Sequence, residues 1–120
     1  MTNTPPTIAV VGPCASGKST LIEKLKKRGY TAKHIAQEHS FVPDLWRKRA
    51  EPDVLIYLDV SFEESKQRQN ISESPKSLYK NQIERLRHAR EHADLFLNTT
   101  NLTPGEVFQQ VQEYINQLKL

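Results

Sequence analysis

Thr7-Ile-Ala-Val-Val-Gly-Pro-Cys-Ala-Ser-Gly-Lys-Ser-Thr20 is the stretch on which the fold turns. Ile8 to Val11 is a short apolar run, and it passes directly into Gly12-x-x-x-x-Gly17-Lys18-Ser19. Leu21, Ile22 and Leu25 then recur at helical spacing. Strand, glycine-framed loop and helix, in that order, is how a backbone makes a cradle for phosphate. Gly12 and Gly17 permit torsions and close approaches that a Cβ blocks, so successive N–H groups can turn inward. With the N-terminus of the following helix they form a concavity for anionic oxygens. The reading makes Gly12, Pro13, Cys14, Ala15, Ser16, Gly17, Lys18, Ser19 and Thr20 the nucleotide-binding segment. Lys18 would bridge the β- and γ-phosphates, and the Ser19 hydroxyl would be one Mg²⁺ ligand. Cys14 would contribute its backbone N–H. No His or Asp stands at a telling spacing from it, so its side chain is read as filler rather than nucleophile.

Working outward, 120 residues suffice for one domain with one core, and residues 1–120 are read as a single unit. Hydrophobic residues at 37% and charged residues at 26% are ordinary for a globular chain. No apolar run approaches the roughly 18 residues of a membrane span. Met1-Thr-Asn-Thr-Pro-Pro6 lacks the basic and apolar regions of a secretory signal, and a lone cysteine makes no internal disulfide. A cytoplasmic location without a membrane partner is therefore expected. The net charge of +3 rests on clusters at Lys26-Lys27-Arg28, Arg47-Lys48-Arg49 and Arg85, Arg87 and Arg90. Trp46 and the four tyrosines are too scattered to form a stacking surface beside them, so nucleic acid is not an expected partner.

The rest of the chain alternates. A helix is expected over 18–28, ending at Gly29, and a weak strand over 30–36. A polar loop, Gln37-Glu38-His39-Ser40, follows, and Pro43 opens a short helix that stops before Pro52. Val54-Leu-Ile-Tyr-Leu-Asp59 is apolar without alternation, as a parallel strand covered on both faces should be. Ser61-Phe-Glu-Glu64 is a capping box opening a helix that carries Lys66 and Arg68. Residues 70–77 read as a loop and 78–93 as one long helix with Ile83, Leu86, Ala89 and Ala93 on one face. Leu95-Phe-Leu97 is a last short strand, and Thr103-Pro-Gly-Glu106 caps the final helix. The alternation predicts an α/β three-layer sandwich, a four-stranded parallel sheet with helices on both faces, and the order 2-1-3-4 is the one expected of four strands in a phosphate-loop fold.

The chain resembles the P-loop NTPases, and within them the kinase-like group of nucleoside and nucleotide kinases. Pro52 to Val60, followed by Glu63, Glu64 and Arg68, is similar to the strand and helix by which those kinases lead into their lid. Residues 93–100 and 103–107 resemble their last strand and helix, near which the adenine sits. The resemblance implies the P-loop NTPase fold, ATP and Mg²⁺ as cofactors, a small-molecule acceptor, and Arg68 as a phosphate-contacting arginine. It also implies five strands, where four are found here, and a strand ending in an Asp-Arg pair, which this sequence lacks. The lid would be reduced to residues 70–77.

The catalytic set read from the sequence is Lys18, Glu38 and Arg68. Asp59, at the end of its strand, is the acid expected to hold Mg²⁺ with Ser19, Glu38 and Asp44 being the alternatives. Glu38, in a loop just past its strand, suits a catalytic base. His88 and His92 read as surface histidines, and Trp46 as packing for the short helix. Two activities stay open: phosphoryl transfer to a small acceptor, or a nucleotide-binding regulatory module with slow or no hydrolysis.

Overall fold

A computed structural model describes residues 6–71 and 75–118. Strand β1 (Thr7–Val11) enters the glycine loop, which leads into helix α1 (Lys18–Lys27). Strand β2 (Thr31–His34) is shorter than its expected span of 30–36 and is followed by a 3₁₀ turn, Gln37–His39, and helix α2 (Leu45–Ala50). Strand β3 (Val54–Asp59), helices α3 (Phe62–Gln69), α4 (Lys76–Arg85) and α5 (Arg87–His92), strand β4 (Leu95–Asn98) and helix α6 (Pro104–Leu118) complete the chain.

The four strands form one all-parallel sheet, as the alternation predicted, in the expected order β2-β1-β3-β4. Its two faces make two cores. Ile8, Val10, Ile56 and Leu58 pack with Leu21 and Leu25 of α1 and with Val107, Val111 and Ile115 of α6. The alternating residues Ala9, Val11, Leu55 and Tyr57 pack with Trp46 and Ala50 of α2 and with Leu86 and Ala89 on the other side. Side chains alternate faces along a strand, so a strand buried on both sides has no polar register to offer. The strand ends are closed locally: the Asp53 carboxylate accepts the Thr7 N–H at 2.8 Å and the Asp94 carboxylate accepts that of Leu55 at 2.7 Å.

One capping box forms in full and the other by half, the Ser61 N–H going to the Thr100 hydroxyl and the Glu64 carboxylate to Arg68. The Ser61 hydroxyl accepts the Glu64 N–H at 3.1 Å, and Thr103 and Glu106 bond each other's backbone N–H at 3.1 and 2.9 Å. The long helix expected over 78–93 starts at Lys76 and is instead two helices, broken at Leu86. The Leu86 N–H lies between the Gln82 and Ile83 carbonyls, at 3.1 and 3.2 Å, a tightened last turn. The break has a tertiary cause. Leu86 and Ala89 are fully buried against the sheet, whereas α4 buries none of its residues and turns Gln82 toward the glycine loop. Part of the expected lid loop, residues 72–74, lies outside the described residues. Among the described residues no helix is long and apolar enough to cross a membrane.

Candidate functional site

The glycine loop is shaped by its neighbours. A Cβ on Gly12 would run into the Leu58 carbonyl oxygen of the adjacent strand and lie 2.7 Å from the Ser16 hydroxyl, so only glycine lets β1 and β3 stay this close. Gly17 caps α1 in a left-handed conformation, φ 103°, which an L side chain rarely adopts. No side chain caps this helix and no acid occupies its first turn, so its N-terminal N–H groups keep their affinity for an anion.

Lys18 is buried, and its ammonium donates to the Gly12 and Pro13 carbonyls at 2.7 and 3.0 Å. It also pairs with Glu38 Oε2 at 3.0 Å, the two side chains being 6% and 4% exposed. Glu38 reaches it because β2 lies beside β1 and the 3₁₀ turn follows at the same edge of the sheet. That turn is fixed by Gln37, fully buried, whose amide accepts the Trp46 N–H at 2.9 Å and donates to the Val42 carbonyl at 2.7 Å. The other Glu38 oxygen and the Ser16 hydroxyl are buried with no partner among the described residues. A buried carboxylate oxygen without a donor is costly, and a ligand-binding site is where such a cost is tolerated.

Helix α3 closes another side of the site by polar contacts alone, since Ser65 is its one buried residue. The Ser65 hydroxyl donates to the Cys14 carbonyl at 3.0 Å, and Arg68 Nη1 donates to the Ala15 carbonyl at 2.9 Å. Arg68 also bonds Thr99, through its hydroxyl at 3.1 Å and through its carbonyl, and is steadied by Glu64 at 3.0 Å. The buried Thr99 hydroxyl lies 2.9 Å from both the Ser16 and Asp59 carbonyls, tying the loop to the ends of β3 and β4.

These groups surround a cavity of about 640 Å³. Cys14 to Thr20, Glu38, Glu64, Arg68 and Thr99 line it, with His34 at one side and Leu102, Pro104 and Val107 as an apolar end. The size is that of a small-molecule site. Burial, and then the Lys18 charge, hold the His34 imidazole below its usual range, so near neutral pH His34 adds no charge here.

The sequence-derived candidates separate. Lys18, Ser19, Glu38 and Arg68 come together around the cavity; Asp59 and Asp44 are not among the residues that line it. Asp59 follows Leu55 and Tyr57 in strand alternation, which aims its side chain to the α5 side, toward Arg90 and Tyr79. Burial there pushes its carboxyl above the ordinary aspartate range. Asp44 sits at the start of α2 and pairs with Lys48 at 3.5 Å. His88 is more than a surface histidine: its Nδ1 accepts the indole N–H of the buried Trp46 at 3.1 Å, and its ring stacks on His92 at 4.2 Å.

One neighbour of the loop escaped the sequence, and another, His39, stood beside Glu38 in the polar loop with no contact to the cysteine foreseen. Gln82, on α4, accepts the Cys14 N–H at 2.9 Å and donates to its sulfur at 3.2 Å. His39 Nε2 stands 3.7 Å from the same sulfur. Neither contact has a spacing signature, because each depends on which elements the sheet sets side by side. No protein-family model matches the chain, and a search of curated proteins finds no match.

Proposed function

We propose that this chain is a P-loop NTPase that binds Mg-ATP and transfers its γ-phosphoryl group to a small-molecule acceptor. The observation that carries the reading is the buried Lys18 at the head of an uncapped α1, bonded to two loop carbonyls and to Glu38 on the wall of the 640 Å³ cavity. An ammonium held this way can exchange carbonyl partners for phosphate oxygens at little cost, which is what a β- and γ-phosphate ligand requires. The apolar end at Leu102, Pro104 and Val107 suits a base, at the position where the resemblance puts adenine.

The residues present fit Mg²⁺. Ser19 and Glu38 both face the cavity with hard oxygen donors, and one Glu38 oxygen has no partner. In this reading Glu38, rather than Asp59, is the acid beside the metal. The cation would neutralise charge that develops on the transferring phosphoryl group. Arg68 would contribute from the α3 side, its guanidinium exchanging the Ala15 carbonyl for a phosphoryl oxygen.

The test has two arms. Mg-ATP at 100 times its Kd should add about 2.7 kcal/mol of stability, read as a rise in Tm, and Ser19→Ala and Lys18→Met should each lose most of that rise. Incubation with γ-labelled ATP and a panel of nucleoside, nucleotide and sugar acceptors should give labelled product. Equal Tm shifts in the wild type and both variants would remove the phosphate-loop assignment. Binding without any labelled acceptor would leave the nucleotide-binding regulatory module.

A further inference from the structure

The geometry points to a second cation site at the rim of the cavity, selective for zinc-class ions and built from Cys14, Glu38 and His39. Its donors are the Cys14 sulfur, His39 Nε2 and a Glu38 carboxylate oxygen, all within 4.8 Å of one another. They come from the glycine loop after β1 and the 3₁₀ turn after β2, which the sheet order sets side by side.

Two of the three donor spacings are close to what a tetrahedral ion demands. With Zn–S near 2.3 Å and Zn–N or Zn–O near 2.0–2.1 Å, ligand atoms of one tetrahedron lie about 3.4–3.6 Å apart. Sulfur to Nε2 is 3.7 Å and Nε2 to Glu38 Oε2 is 3.8 Å, so these two pairs need close by only a few tenths of an ångström. The sulfur and the carboxylate, within 4.8 Å, have up to about an ångström to close, which a turn of the Cys14 side chain supplies. Three protein ligands leave a fourth position for water. A thiolate with an imidazole selects Zn²⁺ over Mg²⁺, which takes oxygen ligands. The exposed His39, at 58%, gives the ion a path in from solvent. The sulfur is also oriented from behind. Gln82 donates to it at 3.2 Å and takes the Cys14 N–H at 2.9 Å, the arrangement by which outer residues fix a ligand.

Glu38 belongs to both centres, and this sets the behaviour of the site. Its Oε2 is 3.0 Å from the Lys18 ammonium, so a zinc ion and Lys18 compete for one oxygen. Zinc bound here withdraws the acid from Lys18 and repels its charge, while binding displaces the Cys14 thiol proton to the buffer. Zinc is therefore an antagonist of the Lys18–Glu38 pair. The existence of the site does not rest on the nucleotide reading.

Cobalt titration of the reduced wild-type chain tests this directly. One equivalent of Co²⁺ should bring up the thiolate-to-cobalt charge-transfer absorption in the near ultraviolet, and Zn²⁺ should abolish it. Cys14→Ser should lose the band, and His39→Ala should weaken zinc at least tenfold in competition with a chromophoric chelator. His92→Ala, an exposed histidine outside the site, should change nothing. Lys18→Met should tighten zinc about tenfold, and zinc should restore part of the Tm that this substitution removes. Cobalt binding without the charge-transfer band, or equal zinc affinity in wild type and Cys14→Ser, overturns the proposal. Both readouts stand whether or not the protein binds ATP.

Discussion

The Lys18–Glu38 pair is lopsided, and its lopsidedness should be measurable in the ligand-free protein. Lys18 has three acceptors: the Gly12 carbonyl at 2.7 Å, the Pro13 carbonyl at 3.0 Å and Glu38 Oε2 at 3.0 Å. Glu38 has Lys18 on one oxygen and no hydrogen-bond partner on the other. Lys18→Met keeps the chain length but leaves a buried carboxylate without its cation, a loss of about 3–5 kcal/mol in comparable pairs. The cavity wall admits water, which favours the lower end, about 3 kcal/mol. Glu38→Gln leaves the ammonium on its two carbonyls and keeps an amide oxygen in place. Only the charge assistance of one hydrogen bond is lost, about 1–2 kcal/mol. In the double variant neither charge is buried alone, so it should recover roughly 1–2 kcal/mol against the sum of the singles. At about 4 °C per kcal/mol for a chain of this size, Tm should fall by roughly 12 °C for Lys18→Met and roughly 4–8 °C for Glu38→Gln. Urea titration and thermal melts by circular dichroism, at pH 7 with chelator present, give all four corners of the cycle. If Glu38→Gln costs as much as Lys18→Met, or the singles simply add, this ion pair does not organise the loop.

Arg68→Ala should cut acceptor labelling roughly 100-fold while the Kd for Mg-ATP moves less than about threefold, because its contribution grows as charge develops. Parallel loss of affinity and turnover would make Arg68 a brace for the loop through Ala15 and nothing more. Asp59→Asn follows from the raised carboxyl. The folded chain holds that proton more tightly than the unfolded chain does, so ionisation drains stability as pH rises above about 3.9. The asparagine variant should match or exceed the wild-type Tm at pH 7, vary less with pH just above 4, and bind Mg-ATP normally. A drop in Mg²⁺-dependent binding would return Asp59 to the metal.

What the sequence disclosed was whatever is decided within a few residues. The loop between β1 and α1, the continuous apolar run of β3, the Ser61 cap and the Thr103–Glu106 capping box are local in their causes, and each formed where expected. The parallel sheet followed from alternation and handedness, and its order from what the phosphate-loop motif led us to expect. The break at Leu86 was hidden because the helical pattern runs straight through it. It appears only when α4 turns Gln82 to the loop while Leu86 sinks into the core. Gln37 was hidden for a similar reason: a glutamine in a polar tetrapeptide looks solvated until Val42 and the Trp46 N–H of α2 supply the partners that let it be buried. Asp59 was different, because its placement could have been read. Ile56 and Leu58 share the α1–α6 face, so the strand's two-residue period sends Asp59 to the other side of the sheet. Glu38 escapes that rule by lying beyond its strand, where the 3₁₀ turn swings it back to Lys18. The groups that could do chemistry thus collect at one edge of the sheet, where the strand period ends and loop geometry alone decides what meets. Sequence patterns end at that same edge, which is why Cys14 and His39, 25 residues apart, met unannounced.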